Sequence, residues 1–513
     1  MVEPWSAPDG APAGTDLDLA AAQRRALGEL VEVPPVAVDL ADRFVAAGYE
    51  LALVGGSVRD ALLGRSDVPD LDFATDARPE QVQQLLAGWA DDLWDVGIAF
   101  GTVGARRDGT NLEITTYRAE AYRAGSRKPA VTYGQSLADD LGRRDFTINA
   151  LALRLPGREL VDLFGGIADL TRRRLVTPGR AEDSFADDPL RMLRAARFTA
   201  QLGLQVDPEV VSAMRAMAAT LSSVSAERVR GELVKLVCAP DPRSGLELMV
   251  GTNLADVVLP ELPALRLEID EHHRHKDVYE HTLIVLEQAI ELAERRGDEA
   301  PGRCDVVLRL AALLHDVGKP RTRRFEPDGR VSFHHHEVEG AKLTRARLRA
   351  LHFPKETVEQ VAELVELHLR FHGYSEGEWT DSAVRRYVRD AGDQLERLHV
   401  LTRADCTTRN RRKATALARA YDSLEERIAG LAEVEQLATI RPDLDGNEIM
   451  ALLGVGPGPV VGRAYRFLLD RRLDRGPVDA GQARAELAEW WAAQPGSDTG
   501  SAEVRRPLPV TED

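Results

Sequence analysis

The stretch LVGGSVRDALLGRSDVPDLDFAT, residues 53–75, decides the fold. It reads as the end of an apolar strand, a glycine turn, a short leucine-bearing helix, a loop, and a second strand carrying Asp70 and Asp72. Side chains two apart on a strand leave the same face, so the two carboxylates project together. Like charges held that close are costly unless a cation sits between them. A hard divalent ion such as Mg2+, bound through carboxylate oxygens and substrate phosphates, removes the conflict. Upstream, Gly55, Gly56 and Ser57 form a turn without bulk, where backbone N–H groups can approach a phosphate. The helix that follows turns its positive N-terminus toward the same anion, with Arg59 nearby.

The run GGSVRDALLG followed by DLD resembles the active-site motif of nucleotidyltransferases related to DNA polymerase beta. Within them it is most similar to the bacterial (class II) tRNA CCA-adding enzymes and poly(A) polymerases. The resemblance implies an α+β chain: a small polymerase-beta-like head on a mixed sheet, then a mostly α-helical neck, HD and tail region. It implies that Asp70 and Asp72 bind two Mg2+ ions, activating a 3′-hydroxyl and holding the incoming triphosphate. That arrangement suits in-line displacement.

A chain of 513 residues is too long for one core and should hold several domains. The expected division is a disordered segment 1–33, a head 34–175, a neck 176–262, an HD domain 263–440, a helical tail 441–492, and a disordered end 493–513. A net charge of −17 argues against wrapping duplex nucleic acid over a broad surface, while leaving room for RNA on a local basic strip. The three cysteines, Cys238, Cys304 and Cys406, lack C-x-x-C spacing and read as buried or indifferent thiols of a reducing compartment. No apolar run approaches the ~20 residues of a membrane helix, and the N-terminus has no signal-peptide pattern. A cytoplasmic protein with no membrane partner is expected. Oligomeric state leaves no trace in the sequence.

Around the opening run, the helix after Thr75-Asp76 is expected to be capped by one of those two residues. FGTVGARR and TNLEITTYR form a hairpin around Asp108-Gly109. Glu113, on its second strand, is the candidate third carboxylate; a merely exposed strand glutamate is the alternative. The basic stretch 118–134, with Arg118, Arg123, Arg127 and Lys128, resembles the family's flexible loop used when adenosine is added; a solvated surface loop is the alternative. RRDFTINALAL, 143–153, resembles its second motif. Arg143 and Arg144 suit bidentate contact with triphosphate, Asp145 can accept from a ribose hydroxyl, and Asn149 can fix the local backbone. VDLFGGIADL, 161–170, resembles a structural link between head and neck.

SFADDPLRMLRAARFTAQLG, 184–203, reads as one helix with Asp188 as N-cap and Pro189 in its first turn. Here D-D-P-L-R resembles the family's E-D-x-x-R motif, with Asp187 replacing the usual Glu. The resemblance places the base-selecting pair at Asp188 and Arg191. Cytosine and adenine each show an amino donor beside a ring-nitrogen acceptor, matching a carboxylate and a guanidinium. Uracil and guanine invert both contacts, and unpaired buried groups make rejection strong. Arg194 and Arg197 extend a basic stripe toward phosphate. AERVRGELVKLV, 226–237, resembles the last neck motif, with Glu227 and Arg230, and Arg228 and Glu232, at helix-pair spacing and reading as neck stabilisers.

The adjacent His315 and Asp316 in LRLAALLHDVGKP resemble the HD phosphohydrolase superfamily. His281 supplies the first ligand of that pattern and Asp405 the last, with His336 and His368 matching intervening positions. Imidazole and carboxylate suit a divalent transition metal or Mg2+ that activates water for phosphoester attack, with Lys319 placed to meet phosphate. The resemblance spans roughly 35–490 and implies template-independent addition of C, C and A to tRNA 3′ ends from CTP and ATP. A poly(A) polymerase shares the head motifs, but its G-R/K-R/K-F signature is replaced here by DLWDVGIAFG, and the chain is acidic. Addition of only CC or only A stays open, and the apparent flexible loop argues against an enzyme confined to CC. From another class comes an HD phosphohydrolase with an RNA- or nucleotide-binding head.

Overall fold

A computed structural model describes residues 27–29, 31–65, 70–94, 101–121, 130–133, 136–267, 277–299, 303–327, 331–371, 379–407, 410–435 and 440–494. Arg123, Arg127 and Lys128 of the basic loop, and nearly all of the termini expected to be disordered, lie outside these residues. The chain divides into two compact units, 1–263 and 264–513.

The first unit begins with nine strands: β1 (Leu51–Val54), β2 (Asp70–Thr75), β3 (Asp92–Trp94), β4 (Thr102–Arg107), β5 (Thr110–Thr116), β6 (Arg118–Ala121), β7 (Ala130–Tyr133), β8 (Leu151–Leu155) and β9 (Glu159–Asp162). Seven form one sheet in the order β3-β4-β5-β2-β1-β8-β9, while β6 and β7 pair with each other. The β2–β5 pair is parallel and the other pairs are antiparallel, so the sheet is mixed. Period-two alternation sorts β2 cleanly. Leu71 and Phe73 enter the main core with Leu51, Leu53, Leu112 and Ile114, under the helices Pro35–Ala46 and Pro79–Leu86. Asp70, Asp72 and Ala74 leave the opposite face, where Ala52, Val54 and Ala152 keep the floor low. Burying a side chain such as Phe73 stabilises by roughly 1.5–3 kcal/mol, so a one-residue slip of β2 is strongly disfavoured.

Several local expectations need correction. Val31 is fully buried in the head core, so ordered packing reaches upstream of Pro34. The helix Pro79–Leu86 has Arg78 at its N-cap. Thr75 and Asp76 instead hold the turn, Thr75 donating to the Glu50 carbonyl at 2.6 Å and Asp76 accepting the Glu50 N–H at 2.8 Å. Residues 184–203 are two helices, Ala181–Asp187 and Leu190–Leu202, with Asp188 extended between them (φ −146°, ψ 100°). Pro189 disfavours helical φ/ψ at the residue before it, which forces the corner. Asp188 still performs a cap's work, accepting the Leu190 N–H at 3.2 Å. The helix Leu190–Leu202 then packs against Ala226–Val237 and Pro242–Gly251.

The second unit is mostly helical. Val278–Arg296, Val306–Leu314, His336–Ala350, Lys355–Leu367 and Leu395–Asp405 surround the histidines, and a short hairpin pairs Arg324–Phe325 with Val331–Ser332. Gly446–Leu453, Pro459–Arg475 and Ala480–Ala492 share a separate small core of Leu444, Ile449, Leu468 and Leu487. Cys406 is a free thiol, partly buried. Among the described residues no helix is long and apolar enough to cross a membrane.

Candidate active site and metal centre

In the first unit, a cleft of about 480 Å3 opens above the acidic face of the sheet. Asp72 and Glu113 are direct partners across the parallel β2–β5 pair and both line it. Asp70 sits two residues before Asp72 on the same face, is exposed, and accepts from the Asn111 amide at 2.9 Å. Burial first, and then the charge of Glu113, push the Asp72 carboxyl up to about 6; Asp70 adds to this, while Arg144 and Arg194 oppose it. Asp72 and Glu113 therefore stand side by side in the cleft, while Asp70, on the same face of β2, is not among the residues that line it.

The glycine turn lies across from them. Gly55 adopts φ +72°, ψ −131°, and a Cβ there would lie 2.8 Å from Nη1 of Arg144, so the backbone and a cationic side chain meet where only glycine fits. Gly55 and Gly56 line the cleft. Ser57 is buried beneath it, its hydroxyl 3.4 Å from the Asp70 carbonyl. Arg59 is also buried, binding Asp60 at 2.7 Å and Asn149 Oδ1 at 2.5 Å while lying over the Phe198 ring.

The arginines are held by carboxylates. Arg143 and Arg144 share the fully buried Asp140, at 2.7 and 3.0 Å. Burial opposes the charge of Asp140, but Arg144 and Arg143 outweigh it and keep its carboxyl below the ordinary value. Both oxygens of Asp145 are engaged: Oδ1 accepts from the Phe146 N–H and from Asn149, and Oδ2 from Arg194. Here too burial raises the carboxyl, yet Arg194 and Asn149 prevail and hold it low. Asp145 thus braces the site, which the reading of it as a free ribose acceptor did not foresee. Arg197 is buried against Glu232 at 2.6 Å, so its charge is largely spoken for within the protein.

Asp188 and Arg191 both line the cleft without hydrogen-bonding to one another through their side chains. Arg191 donates to the Ser184 hydroxyl at 2.8 Å and the Arg143 carbonyl at 2.6 Å. Asp188 Oδ2 is 2.8 Å from Arg228. Arg228 and Glu232 are therefore not the helix-stabilising pair expected; Arg228 turns to Asp188, and Glu232 to Arg197 and Arg194. Arg118 and Thr115 also line the cleft.

In the second unit, two donor groups meet: His281, His315 and Asp405, and Asp316, His336 and His368, the donor atoms of each lying within 4.8 Å of one another. All six expected positions converge. His315, His336 and His368 each place Nδ1 on a carbonyl three residues earlier, of Ala312, Phe333 and Val365, at 2.8, 2.8 and 2.6 Å. A carbonyl only accepts, so each Nδ1 carries a proton; the Nε2 atoms of His315 and His336 face the Asp316 carboxylate at 3.2 and 3.3 Å, and the Nε2 of His368 is left buried without a hydrogen bond. Nδ1 held in this way leaves Nε2 as the nitrogen that would face a metal. His281 is fixed by Thr407 at 3.1 Å and faces Asp405 at 2.9 Å. Burial lowers His315, but Asp316 more than compensates, taking it up to about 9; burial together with His315 and His336 brings His368 down to about 3. Lys319 reaches Asp316 at 2.8 Å and is buried, instead of standing open for a phosphate.

Paired carboxylates on a mixed sheet, facing a glycine turn and a rim of arginines, define a polymerase-beta-like nucleotidyltransferase, here followed by an HD unit. Comparisons with known proteins agree. The Poly A polymerase head domain family matches residues 51–176, the family described as probable RNA and SrmB-binding site of polymerase A matches 203–265, and the HD domain family matches 278–410. The A-adding tRNA nucleotidyltransferase of Deinococcus radiodurans is 38% identical over 456 residues, 87% of this chain and 96% of that protein. The CCA-adding enzyme of Levilactobacillus brevis is 43% identical over 209 residues, 40% of this chain and 51% of that enzyme. Among solved structures, the Bacillus stearothermophilus CCA-adding enzyme in complex with CTP superposes with a TM-score of 0.65 at 25% identity, covering 90% of this chain and 98% of the other. The chain belongs to the bacterial class II family of tRNA nucleotidyltransferases that contains the CCA-adding and A-adding enzymes.

Proposed function

We propose that this enzyme rebuilds the 3′-CCA end of tRNA, adding C, C and A from CTP and ATP without a nucleic-acid template. One observation carries the reading: Asp72 and Glu113, paired across β2 and β5, face the cleft that Asp188 and Arg191 also line. Asp72, raised by burial and like charge, fits a divalent cation, because a cation relieves the causes of the shift. Asp70 and Asp72, with Glu113, are the residues that would hold two Mg2+ ions. When bound, those ions neutralise triphosphate charge and favour deprotonation of a 3′-hydroxyl. Gly55, Gly56, Ser57 and Arg59 shape the floor under the triphosphate, and Arg143, Arg144, Arg194 and Arg197 surround it. Asp145 and Asn149 keep Arg194 and Arg59 aimed. Asp188 accepts from the amino group of cytosine or adenine while Arg191 donates to the ring nitrogen, a pattern uracil and guanine cannot match.

The second unit is read as a metal-dependent phosphodiesterase or phosphatase of cytoplasmic RNA metabolism. Four imidazoles and two carboxylates fit a divalent transition metal or Mg2+, and the buried, unpaired Nε2 of His368 supports that donor set. Such an ion supplies an activated water when bound.

A second reading, addition of A alone, has its own support. The relative matched along 87% of this chain is named an A-adding enzyme, while the Levilactobacillus CCA-adding enzyme matches over 40%. Incubating the protein with tRNA lacking its last three nucleotides, with tRNA ending in CC, and with CTP or ATP separates the two. Three additions to the shortened tRNA support CCA synthesis; addition to the CC end alone transfers the enzyme to the second reading.

A further inference from the structure

The neck helix Ala226–Val237 turns Arg228 and Glu232, one helical turn apart, toward the nucleotide cleft. Glu232 holds Arg197 at 2.6 Å and lies 3.6 Å from Arg194. Arg228 lines the cleft with its side chain 53% exposed, and its Nη2 is 2.8 Å from Oδ2 of Asp188 across 40 residues of sequence.

Asp188 stands at a corner, not inside a helix, so its own backbone restrains its carboxylate through a single contact, the Leu190 N–H on Oδ1. Arg228 supplies the second contact, on the other oxygen. A carboxylate with one oxygen tied can still swing its plane; with both tied it cannot. A carboxylate offers about four acceptor directions. The two contacts use two of them and leave the rest for a base. Orientation matters because discrimination between an amino group and a carbonyl requires the acceptor to sit where the amino hydrogen arrives. A swinging carboxylate lets a mismatched base avoid the repulsion.

We propose that Arg228 is a specificity-positioning residue, which fixes the plane of the Asp188 carboxylate so that it accepts from the amino group of cytosine or adenine and rejects uracil and guanine. The inference rests on the reading of Asp188 as base selector. Because Arg228 is half exposed, its truncation leaves no buried cavity and no buried unpaired charge.

The test is single-nucleotide addition to tRNA ending in CC, with ATP against GTP, for the full-length wild type and the Arg228→Ala, Arg228→Lys and Asp188→Ala variants. Arg228→Ala should raise KM for ATP about tenfold, with a smaller change in kcat, and lower the ATP-over-GTP preference about tenfold, about 1.4 kcal/mol in transition-state discrimination. Arg228→Lys, which keeps a donor for Oδ2, should recover most of that preference. If Arg228→Ala weakens ATP and GTP use equally, Arg228 serves phosphate or RNA and the proposal is overturned. If Asp188→Ala keeps the full preference for ATP, the base-selector reading fails and takes this inference with it; if Asp188→Ala loses the preference and Arg228→Ala does not, only this inference fails.

Discussion

Replacing Asp72 with asparagine should stabilise the metal-free head while destroying its activity. The Asp72 carboxyl rises from 3.8 to about 6 through burial and the neighbouring Glu113 and Asp70. A raised folded-state value means the folded chain holds that proton more tightly than the unfolded one. Its contribution is fully present below about pH 4, falls as pH rises through the window up to about 6, and is fully lost above that. A shift of about two units corresponds to about 3 kcal/mol at neutral pH. Because Asp72 is partly open to the cleft, about 1–3 kcal/mol is the working range. The assay is hydrogen exchange of the β2 and β5 amides in EDTA at pH 7.5, where Asp72→Asn should slow exchange roughly 5- to 150-fold. The gain should vanish near pH 4. Mg2+ should slow exchange in the wild type and leave the variant unmoved. An Asp72→Asn head that exchanges as fast as wild type in EDTA, or faster, would refute the argument that these carboxylates are held in conflict for a cation.

Other outcomes follow from the same contacts. Asp72→Ala should abolish nucleotide incorporation and leave phosphodiester hydrolysis intact, while His315→Ala does the reverse; parallel assays of both activities check this, and joint loss contradicts independent sites. Glu232→Gln strips the buried Arg197 of its charged partner and should cost about 3–5 kcal/mol in head stability by denaturant melts, against at most about 1 kcal/mol for Arg228→Ala. Gly55→Ala puts a Cβ 2.8 Å from Arg144 at positive φ and should cost about 1–2 kcal/mol with loss of activity, read by melts and nucleotide incorporation. His368→Gln removes the orphaned Nε2 and should lower the metal retained after gel filtration, measured by elemental analysis.

Much of this site was legible because its chemistry is local. Asp70 and Asp72 share a face by strand period alone, and the hairpin at Asp108-Gly109 brings Glu113 onto the adjacent strand. His315 and Asp316 are adjacent in the chain, which marked the second unit. What stayed hidden depends on packing between distant segments. Asp188 meets Arg228 across 40 residues, and Arg197 meets Glu232 across 35. Helix spacing suggested the nearer pairing of Arg228 with Glu232, but the buried Arg197 made the better partner for Glu232. Asp140 escaped notice as well, although it organises Arg143 and Arg144; an acidic residue three and four positions before two arginines was the available signal. The proline at 189 was seen as a helix starter, while its effect on the preceding residue, the corner at Asp188, was not.

The most direct test of the account is incorporation of labelled CTP and ATP into tRNA lacking its 3′ end, by wild type and by Asp70→Ala and Asp72→Ala. The account predicts that wild type adds nucleotides that end at CCA, and that each variant adds none. Long A tails on unrelated RNA by the wild type, or addition that survives either substitution, would contradict it.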